Sequence, residues 1–343
     1  MKQEVIPAVS FVVPVYNVRP YLEQCINSML EQTDESYEII LIDDESTDGS
    51  GKICSRYGEE YEKITGYHQK NQGVSVARNQ GISMARGKWI CFVDGDDWVE
   101  PEFVRGVKQI EDDLYDIVFF AYHNAKSGKK ESRINFDLDH KKLNKDDFLH
   151  LQMCILNQGD AGLEKYSYIE GTPWAKLYRR SFLEKYNLRF TPGVRKGQDG
   201  LFNMQAFGCA ECGFYSSQVV YNYRINDSSV CRRYNPEIPG YSRHLIREYQ
   251  KQLKALNNQH LDSMFDYFVV RQFMYCILLD FCHKGNKAKY HVRKADYLQE
   301  KEKYRAFIRR LKLKNMKLNE KGLLILIRYF PFWCLDCAVK ILR

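Results

Sequence analysis

Residues 89–98 read Trp-Ile-Cys-Phe-Val-Asp-Gly-Asp-Asp-Trp. The apolar run at residues 90–93 is typical of a strand that is buried on both faces. It is followed by Asp94 and Asp96, with Gly95 between them to allow a tight turn. Carboxylates at the carboxyl end of a buried parallel strand lie where open α/β sheets bind ligands. Such oxygens hold divalent cations that take their other ligands from water and phosphate, although a strand ending in a polar turn gives the same pattern.

The length and composition indicate an ordinary globular protein. At 343 residues the chain is long enough for two domains, and 44% hydrophobic and 28% charged residues are usual values. We expect no signal peptide in the short polar start, and no stretch reaches the roughly 18 apolar residues of a membrane span. The cysteines, odd in number and scattered, favour free thiols in a reducing cytoplasm. Two Cys-x-x-Cys pairs, Cys209/Cys212 and Cys334/Cys337, leave a zinc site open.

The charge is concentrated at the end of the chain. Residues 284–343 contain 17 Lys and Arg and 5 Asp and Glu, a net charge of +12, whereas the rest of the chain carries −5. A near-neutral body with a basic tail predicts an anionic surface as partner, either lipid headgroups or nucleic acid.

Strands and helices alternate over the first hundred residues. The predicted strands cover residues 9–15, 37–42, 64–69 and 90–93, with a further strand at 116–122. The predicted helices cover residues 21–31, a segment ending near 61, and 74–85, the last closed by Gly87 as a C-cap. This alternation predicts a parallel, doubly wound sheet.

Polar residues follow three of these strands. They are Asn17, the pair Asp43 and Asp44, and the Asp94/Asp96 pair, and in such a sheet all three strand ends meet at one edge. The glycine-rich fingerprints of dinucleotide and P-loop sites are missing after the first strand. A metal on the Asp pair would therefore neutralise a diphosphate, Asp43 or Asp44 would accept hydrogen bonds from a uracil or ribose, and Arg78 would reach the phosphates.

Four motifs together resemble the family 2 inverting glycosyltransferases with a GT-A fold. They are Val-Pro-Val-Tyr-Asn at 13–17, Ile-Asp-Asp-Glu-Ser-Thr-Asp-Gly at 42–49, Asn-Gln-Gly-Val-Ser-Val-Ala-Arg-Asn at 71–79 and Asp-Gly-Asp-Asp at 94–97. The resemblance implies Mn²⁺ or Mg²⁺ on Asp94 and Asp96 and a nucleotide, usually uridine diphosphate, on the other motif residues. The implied nucleotide-binding residues are Pro14, Val15, Tyr16, Asn17, Asp43, Asp44, Asn71, Arg78, Asp94 and Gly95.

A second group of candidates lies in the middle of the chain. An inverting transfer needs one carboxylate to take the proton of the acceptor hydroxyl, and the resemblance assigns this to Asp199. Gln198 stands where the family usually has Glu, which puts the orientation of the base in doubt. Trp174 would offer a sugar its ring face or else pack in the core. The segment with Arg224 and Ser229 resembles one that closes over the diphosphate, although a structural role for Arg224 is nearly as well supported.

The end of the chain has two predicted parts. Residues 265–282 are strongly apolar and predict a packed helix rather than a cofactor site. Residues 323–335 are apolar but interrupted by Arg328 and Pro331, which is too short for a span and indicates an interfacial segment behind a basic stretch. This predicts docking on an anionic membrane surface. An oligomer contact and a tail folded onto the body are the alternatives, and no recognition motif supports nucleic acid.

These observations predict an α/β protein with the GT-A, Rossmann-like fold of nucleotide-diphospho-sugar transferases and a C-terminal helical extension. The predicted domains are residues 1–235, with a nucleotide-sugar half (1–125) and an acceptor half (126–235), and a basic helical region at 236–343. The predicted function is metal-dependent transfer from a nucleotide sugar to a lipid-linked saccharide, at the inner face of the cell membrane. A non-catalytic binding protein is the alternative suggested by Gln198, and a sugar nucleotidyltransferase would need a glycine-rich basic loop after the first strand.

Overall fold

The computed structural model describes residues 6–110, 114–126, 129–133, 141–157, 171–225, 233–313 and 316–341. The chain divides into two compact units, one of residues 1–149 and 168–225 and the other of residues 150–167 and 226–343. Each unit is described by itself below. The domain boundaries at residues 125 and 235 stay predictions.

The first unit begins with alternating parallel strands and helices, as the hydrophobic pattern predicts. The strands are β1 (Val9–Val15), β2 (Tyr37–Asp43), β3 (Ile64–His68) and β4 (Trp89–Phe92), and the helices are α1 (Arg19–Leu30), α2 (Ser50–Glu60) and α3 (Val74–Met84). These strands are parallel in the order β3-β2-β1-β4. Nearly every residue of β1, β2 and β4 is buried, because helices cover both faces of the sheet.

The prediction of a parallel sheet over the first hundred residues is confirmed, and beyond β4 the sheet becomes mixed, which the sequence pattern did not reveal. The remaining elements of this unit are β5 (Trp98–Val99), α4 (Phe103–Lys108), β6 (Ile117–Lys126), β7 (Lys129–Arg133), β8 (Lys141–Leu143), α5 (Lys145–Leu156), whose last turns fall in the second unit, β9 (Lys176–Arg179), α6 (Arg180–Lys185), α7 (Gln198–Cys209) and β10 (Gly213–Arg224). Strand β9 lies antiparallel between β4 and β6. The order of the ten-stranded sheet is β3-β2-β1-β4-β9-β6-β10-β5, with β7 beside β6 and β8 beside β10.

Gly87 does not cap α3, so that prediction is wrong. The helix ends at Met84, and the next residue, Ala85, is extended with φ −65° and ψ 131°. The Gly87 amide donates to Ser10 Oγ at 2.8 Å. A Cβ at Gly87 would lie 2.6 Å from Ser10 Oγ and 2.7 Å from the Ser10 nitrogen. A glycine is therefore required here by the close approach of the chain to β1.

The second unit is helical. Its helices are α8 (Ile238–Leu256), α9 (Gln259–Cys276), which continues into a π-helical turn at Ile277–Phe281, α10 (Tyr290–Arg310), α11 (Leu318–Tyr329) and α12 (Phe332–Ile341). The packed helix predicted at residues 265–282 is confirmed, since Phe273 of α9 stacks on Tyr297 and Tyr304 of α10. Among the residues that the structure describes, no helix combines the length and the apolar character needed to cross a membrane.

Candidate active site

The loops after β1 and β2 are tied together at the carboxyl edge of the sheet. Asn17 adopts a left-handed conformation with φ 52°. Its Oδ1 accepts from the Thr47 amide at 2.8 Å, and the Asp44 amide donates to the Val15 carbonyl at 2.9 Å. Asn17 thus shapes the loop behind the cavity described below rather than lining it.

A cavity of about 370 Å³ opens at this edge. It contains eight of the predicted nucleotide and metal residues, namely Pro14, Val15, Tyr16, Asp44, Asn71, Asp94, Gly95 and Asp96. The strand ends that the sequence places at one edge therefore do meet around a common space.

Asp43 and Asp44 have different surroundings. Asp44 lines the cavity, while its carboxylate accepts from the amides of Gln72 at 2.9 Å and Gly73 at 2.8 Å. Asp43 is not among the lining residues, and its carboxylate contacts His68 Nδ1 at 3.0 Å and accepts from the Ser46 amide. Of the two acids predicted to contact a nucleoside, the geometry favours Asp44.

The third acid of the turn after β4, Asp97, anchors that turn to β10. Asp97 is 1% exposed, and its carboxylate accepts from the Tyr221 hydroxyl and from the Arg224 amide, both at 2.7 Å. Burial, together with the charges of Asp94 and Asp96, raises the pKa of Asp97 well above its ordinary value. Asp97 therefore fastens the turn to β10, which leaves Asp94 and Asp96 at the cavity.

Gly95 is required by space rather than by an unusual backbone angle. It is not among the described glycines with positive φ. A Cβ on Gly95 would lie 3.0 Å from Val18 Cγ2 and 3.5 Å from the Pro14 carbonyl oxygen. A side chain at this position would therefore require Val18 to shift.

Arg224 holds the same turn through a hydrogen bond to its backbone. Its Nε donates to the Asp96 carbonyl and its Nη2 to Gln24 Oε1, both at 2.6 Å. The guanidinium carbon lies 4.6 Å from the ring centre of Trp98 and 4.8 Å from that of Tyr21. These contacts are those of the structural alternative for Arg224, and its contact with phosphate stays a prediction.

Arg78 joins the carboxylates of two distant motifs. Its Nη1 donates to Asp199 Oδ1 at 2.5 Å and its Nη2 to Asp94 Oδ1 at 2.8 Å, while its side chain is 3% exposed. The guanidinium also lies over the Phe190 ring. Both terminal nitrogens of Arg78 therefore contact carboxylates, and its predicted contact with phosphates stays a prediction.

Asp199 lies in the first turn of α7, where the sequence predicts it. Burial raises its pKa; the Arg78 charge opposes this shift, and the Asp94 charge adds to it. Its side chain is still 29% exposed, so the carboxylate can meet a hydroxyl group. A carboxylate of raised pKa beside the cavity residue Asp94 has the environment of a general base. Next to it, Gln198 Oε1 is buried without a hydrogen-bond partner.

Arg195 is a cavity residue that the sequence did not reveal. It is exposed, and of the described residues lining the cavity it alone carries a positive charge, against Asp44, Asp94 and Asp96. It lies between Gly193 and Gly197, whose φ angles are 79° and 76°. These two glycines, just before the helix that carries Asp199, are the feature of the sequence that could have indicated a functional loop at Arg195.

Trp174 is not among the residues that line the cavity. Trp174 is 6% exposed and stacks on Tyr221 and Tyr223, with ring centres 4.9 and 5.2 Å apart. This arrangement is core packing, one of the two roles considered for it, and contact with a sugar stays a prediction. Ser229 lies outside the described residues.

The donor atoms fit a divalent cation held together with a phosphate. Among the described residues no group of three or more His, Cys, Asp or Glu side chains could hold a metal ion by itself. The two Cys-x-x-Cys pairs belong to no such group. Asp94 and Asp96 both line the cavity, and the pKa of Asp96 is raised by burial and by the Asp94 charge. A cation bound by these hard oxygens would relieve their repulsion and take its other ligands from phosphate and water.

Comparison with known proteins identifies the family. The model for glycosyl transferase family 2 matches residues 10–186. The uncharacterized glycosyltransferase EpsJ of Bacillus subtilis is 31% identical over 98% of this chain and 95% of that protein. A poly(ribitol-phosphate) beta-glucosyltransferase of Bacillus spizizenii is 28% identical over 63% of this chain and 32% of that protein. The structure of S. aureus TarS 1–349 with UDP-GlcNAc, at 18% identity, has a TM-score of 0.62 over 96% of this chain and 88% of that one, which shows a common fold. The chain therefore belongs to glycosyl transferase family 2 and is a glycosyltransferase of the GT-A fold.

Proposed function

We propose that this glycosyltransferase moves a sugar, with inversion, from a uridine diphosphate sugar to a hydroxyl of a lipid-linked saccharide during the synthesis of a surface polysaccharide. The observation that carries the proposal is the Arg78 bridge, which brings Asp199 to the carboxylate pair at the cavity. A donor held at Asp94 and Asp96 would have its anomeric carbon near Asp199, whose carboxylate has the environment of a base. The UDP-GlcNAc bound by TarS supports the donor class, and the poly(ribitol-phosphate) in the name of the Bacillus spizizenii relative supports a polymeric acceptor.

The proposed chemistry is a single displacement. Asp199 accepts the proton of the acceptor hydroxyl as that oxygen attacks the anomeric carbon from the face opposite the diphosphate. The new glycosidic bond forms as the bond to the diphosphate oxygen breaks, and the leaving group is a nucleoside diphosphate. A Mn²⁺ or Mg²⁺ ion on Asp94 and Asp96, when bound, stabilises the charge that develops on the departing diphosphate.

Each part of the cavity has a place in this scheme. Asp44 would accept from a uracil or ribose group and Asn71 would lie beside it, since both line the cavity. Tyr16, which is 51% exposed there, offers a ring face to the nucleobase. Arg78 holds the base in position and balances its charge. A sugar nucleotidyltransferase is less well supported, because residues 14–18, at the end of β1 and directly after it, are neither glycine-rich nor basic.

Removing the cation is the direct test of metal dependence. We expect EDTA to lower UDP release from a panel of UDP sugars by about 100-fold or more, because charge stabilisation by a metal contributes several kcal/mol. Excess Mn²⁺ should restore the rate. Asp96→Asn should show the same loss without rescue, whereas Glu102→Gln, an exposed acid on the surface, should not. Full activity in EDTA would exclude the proposed role of the Asp pair.

Arg195 should bind the diphosphate, because it lines the cavity, whereas the terminal nitrogens of Arg78 already contact Asp94 and Asp199. We expect Arg195→Gln to weaken the binding of UDP about tenfold, since a hydrogen bond to a charged group contributes about 1.5 kcal/mol or more. The binding of uridine should not change. Calorimetry with Mn²⁺ present measures both ligands, and Arg105→Gln, an exposed arginine of α4, is the matched control. An equal loss for UDP and uridine would indicate a structural role instead.

A lipid-linked acceptor requires the enzyme at a membrane, and we place it at the inner face of the cell membrane. The support is the net charge of +12 in residues 284–343 and the apolar side chains exposed on the last two helices. The chain would then meet its nucleotide sugar in the cytoplasm and its acceptor in the bilayer. A homo-oligomer contact is the competing use of the same surface.

A further inference from the structure

Helices α10 and α11 form a basic cleft within the second unit. The cleft has a volume of about 480 Å³ and is lined by Lys301, Arg305, Arg309 and Arg328 together with Leu298, Glu302, Ile308 and Tyr329. Four of these side chains are cationic and one is acidic, so the cleft carries a net charge of +3. Nothing in the proposed transfer chemistry uses it.

The cations of the cleft are largely unneutralised. Lys301 Nζ donates to the Ile327 carbonyl at 2.5 Å, and Arg328 Nε donates to the Ile308 carbonyl at 2.9 Å. These are backbone carbonyls near helix ends, which carry only partial negative charge.

The remaining cations are close to solvent. Arg305 pairs with Glu302 at 2.9 Å, and both side chains are more than half exposed, at 54% and 67%. Such an exposed pair is weak and exchanges readily for another anion. Arg309 is exposed as well. The cleft is therefore suited to bind a phosphate group.

Exposed apolar side chains line the same cleft and follow it in the chain. Leu298 and Tyr329, which line it, are 48% and 74% exposed, while Phe330, directly after α11, is 47% exposed and Trp333, in the first turn of α12, is 58% exposed. Helix α11 ends at Tyr329 and α12 begins at Phe332, with Pro331 between them. Phe332 is buried at 3% exposure, whereas the other aromatic rings on either side of this break are exposed, namely those of Tyr329, Phe330 and Trp333. Aromatic residues with an apolar body are typical of the headgroup level of a bilayer.

We propose that the α10–α11 cleft binds the phosphate of an anionic membrane lipid while Tyr329, Phe330 and Trp333 insert at the headgroup level. The proposal rests on the membrane attachment proposed above and gives it a specific site. A free phosphate would use the cations but would leave the exposed aromatic rings without a role. An anionic lipid bilayer satisfies both, since it presents phosphate and an apolar layer side by side.

The test is binding of the full chain to vesicles of phosphatidylcholine with and without phosphatidylglycerol. We expect binding only with phosphatidylglycerol, weakened by added salt. Arg305→Gln with Arg309→Gln should weaken binding about 20-fold, since each basic residue near an anionic surface contributes roughly a fivefold factor. Lys251→Gln with Lys254→Gln removes two exposed charges of α8 and should weaken binding far less.

Trp333 provides a direct signal. Trp89 and Trp174 are buried and Trp98 is partly buried, so Trp333 is the exposed tryptophan. Its fluorescence should shift to the blue on vesicle binding. Trp333→Phe should keep the binding and lose the shift, whereas Trp333→Ser should lose the binding.

Three results would overturn the proposal. They are equal binding to both vesicle types, an equal loss in the α8 control, and an oligomer of the chain that Trp333→Ser dissociates without any vesicle binding. UDP release from a soluble UDP sugar should be unchanged in all these variants. If the unmodified chain released no UDP from any UDP sugar, the proposed sugar transfer would be contradicted. The vesicle binding would be unaffected by that result.

Discussion

Asp199→Asn is expected to lower kcat/KM for sugar transfer by about three orders of magnitude, because general base catalysis contributes about 10²- to 10⁴-fold. Asparagine keeps an oxygen at the position that accepts from Arg78 Nη1, so the bridge to Asp94 should survive. The affinity for UDP should therefore change little. UDP release measures the first quantity and calorimetry the second.

The matched control for this substitution is Asp262→Asn. Asp262 is also an acid in the first turn of a helix, α9, and it is exposed, so the change removes the same favourable interaction with a helix N-terminus. It should not affect transfer. Asp199→Asn retaining activity within about tenfold would mean that another group takes the proton. Tight UDP binding by the unmodified chain without turnover of any UDP sugar would favour the non-catalytic alternative.

The pH dependence of kcat/KM should also reveal Asp199 as the base. Burial raises the pKa of Asp199 above its ordinary value of about 4. The base works only when it is deprotonated, so kcat/KM should fall as the pH drops through that raised pKa. The residual activity of Asp199→Asn should lack this acidic limb.

Arg78→Met should be the most destabilising substitution at the site. It leaves Asp94 and Asp199 without the cation that lies between them, and removing one partner of a buried ion pair costs about 3 to 5 kcal/mol. Because these carboxylates are 30% and 29% exposed, we expect the lower value. For a unit of this size it corresponds to a fall in Tm of roughly 6 to 12 °C. Transfer activity should be lost as well.

A double-mutant cycle shows whether the effect arises from the bridge. Arg78→Met with Asp199→Asn should be more stable than Arg78→Met alone, because one of the two unpaired charges is gone. Arg105→Met, which removes an exposed arginine from its surface pair, should change stability by less than about 0.5 kcal/mol. Simple additivity of the Arg78 and Asp199 substitutions would show that the two side chains are not coupled in solution.

The local pattern of the chain was enough to predict the first four strands, the helices between them and the edge at which their polar ends meet. This works because strands buried on both faces are continuous apolar runs, and because parallel strands put their carboxyl ends on one side. The same reasoning predicted a site at Asp94 and Asp96, whereas the resemblance to the glycosyltransferase family pointed to Asp199. The pattern did not reveal that the sheet becomes mixed beyond β4, because strand β9 comes from far along the chain and its direction depends on the strands beside it rather than on its own residues.

The sequence by itself determined the candidates for the chemistry: the acids after buried strands and the Asp at the start of α7. Only the tertiary structure decided how they are held. Arg78 contacts the carboxylates of Asp94 and Asp199, Asp97 accepts from the Tyr221 hydroxyl, and Arg195 lines the cavity. The reason is that a side chain's charge and size are local properties, whereas its partners come from segments that only the folded sheet brings within hydrogen-bond distance.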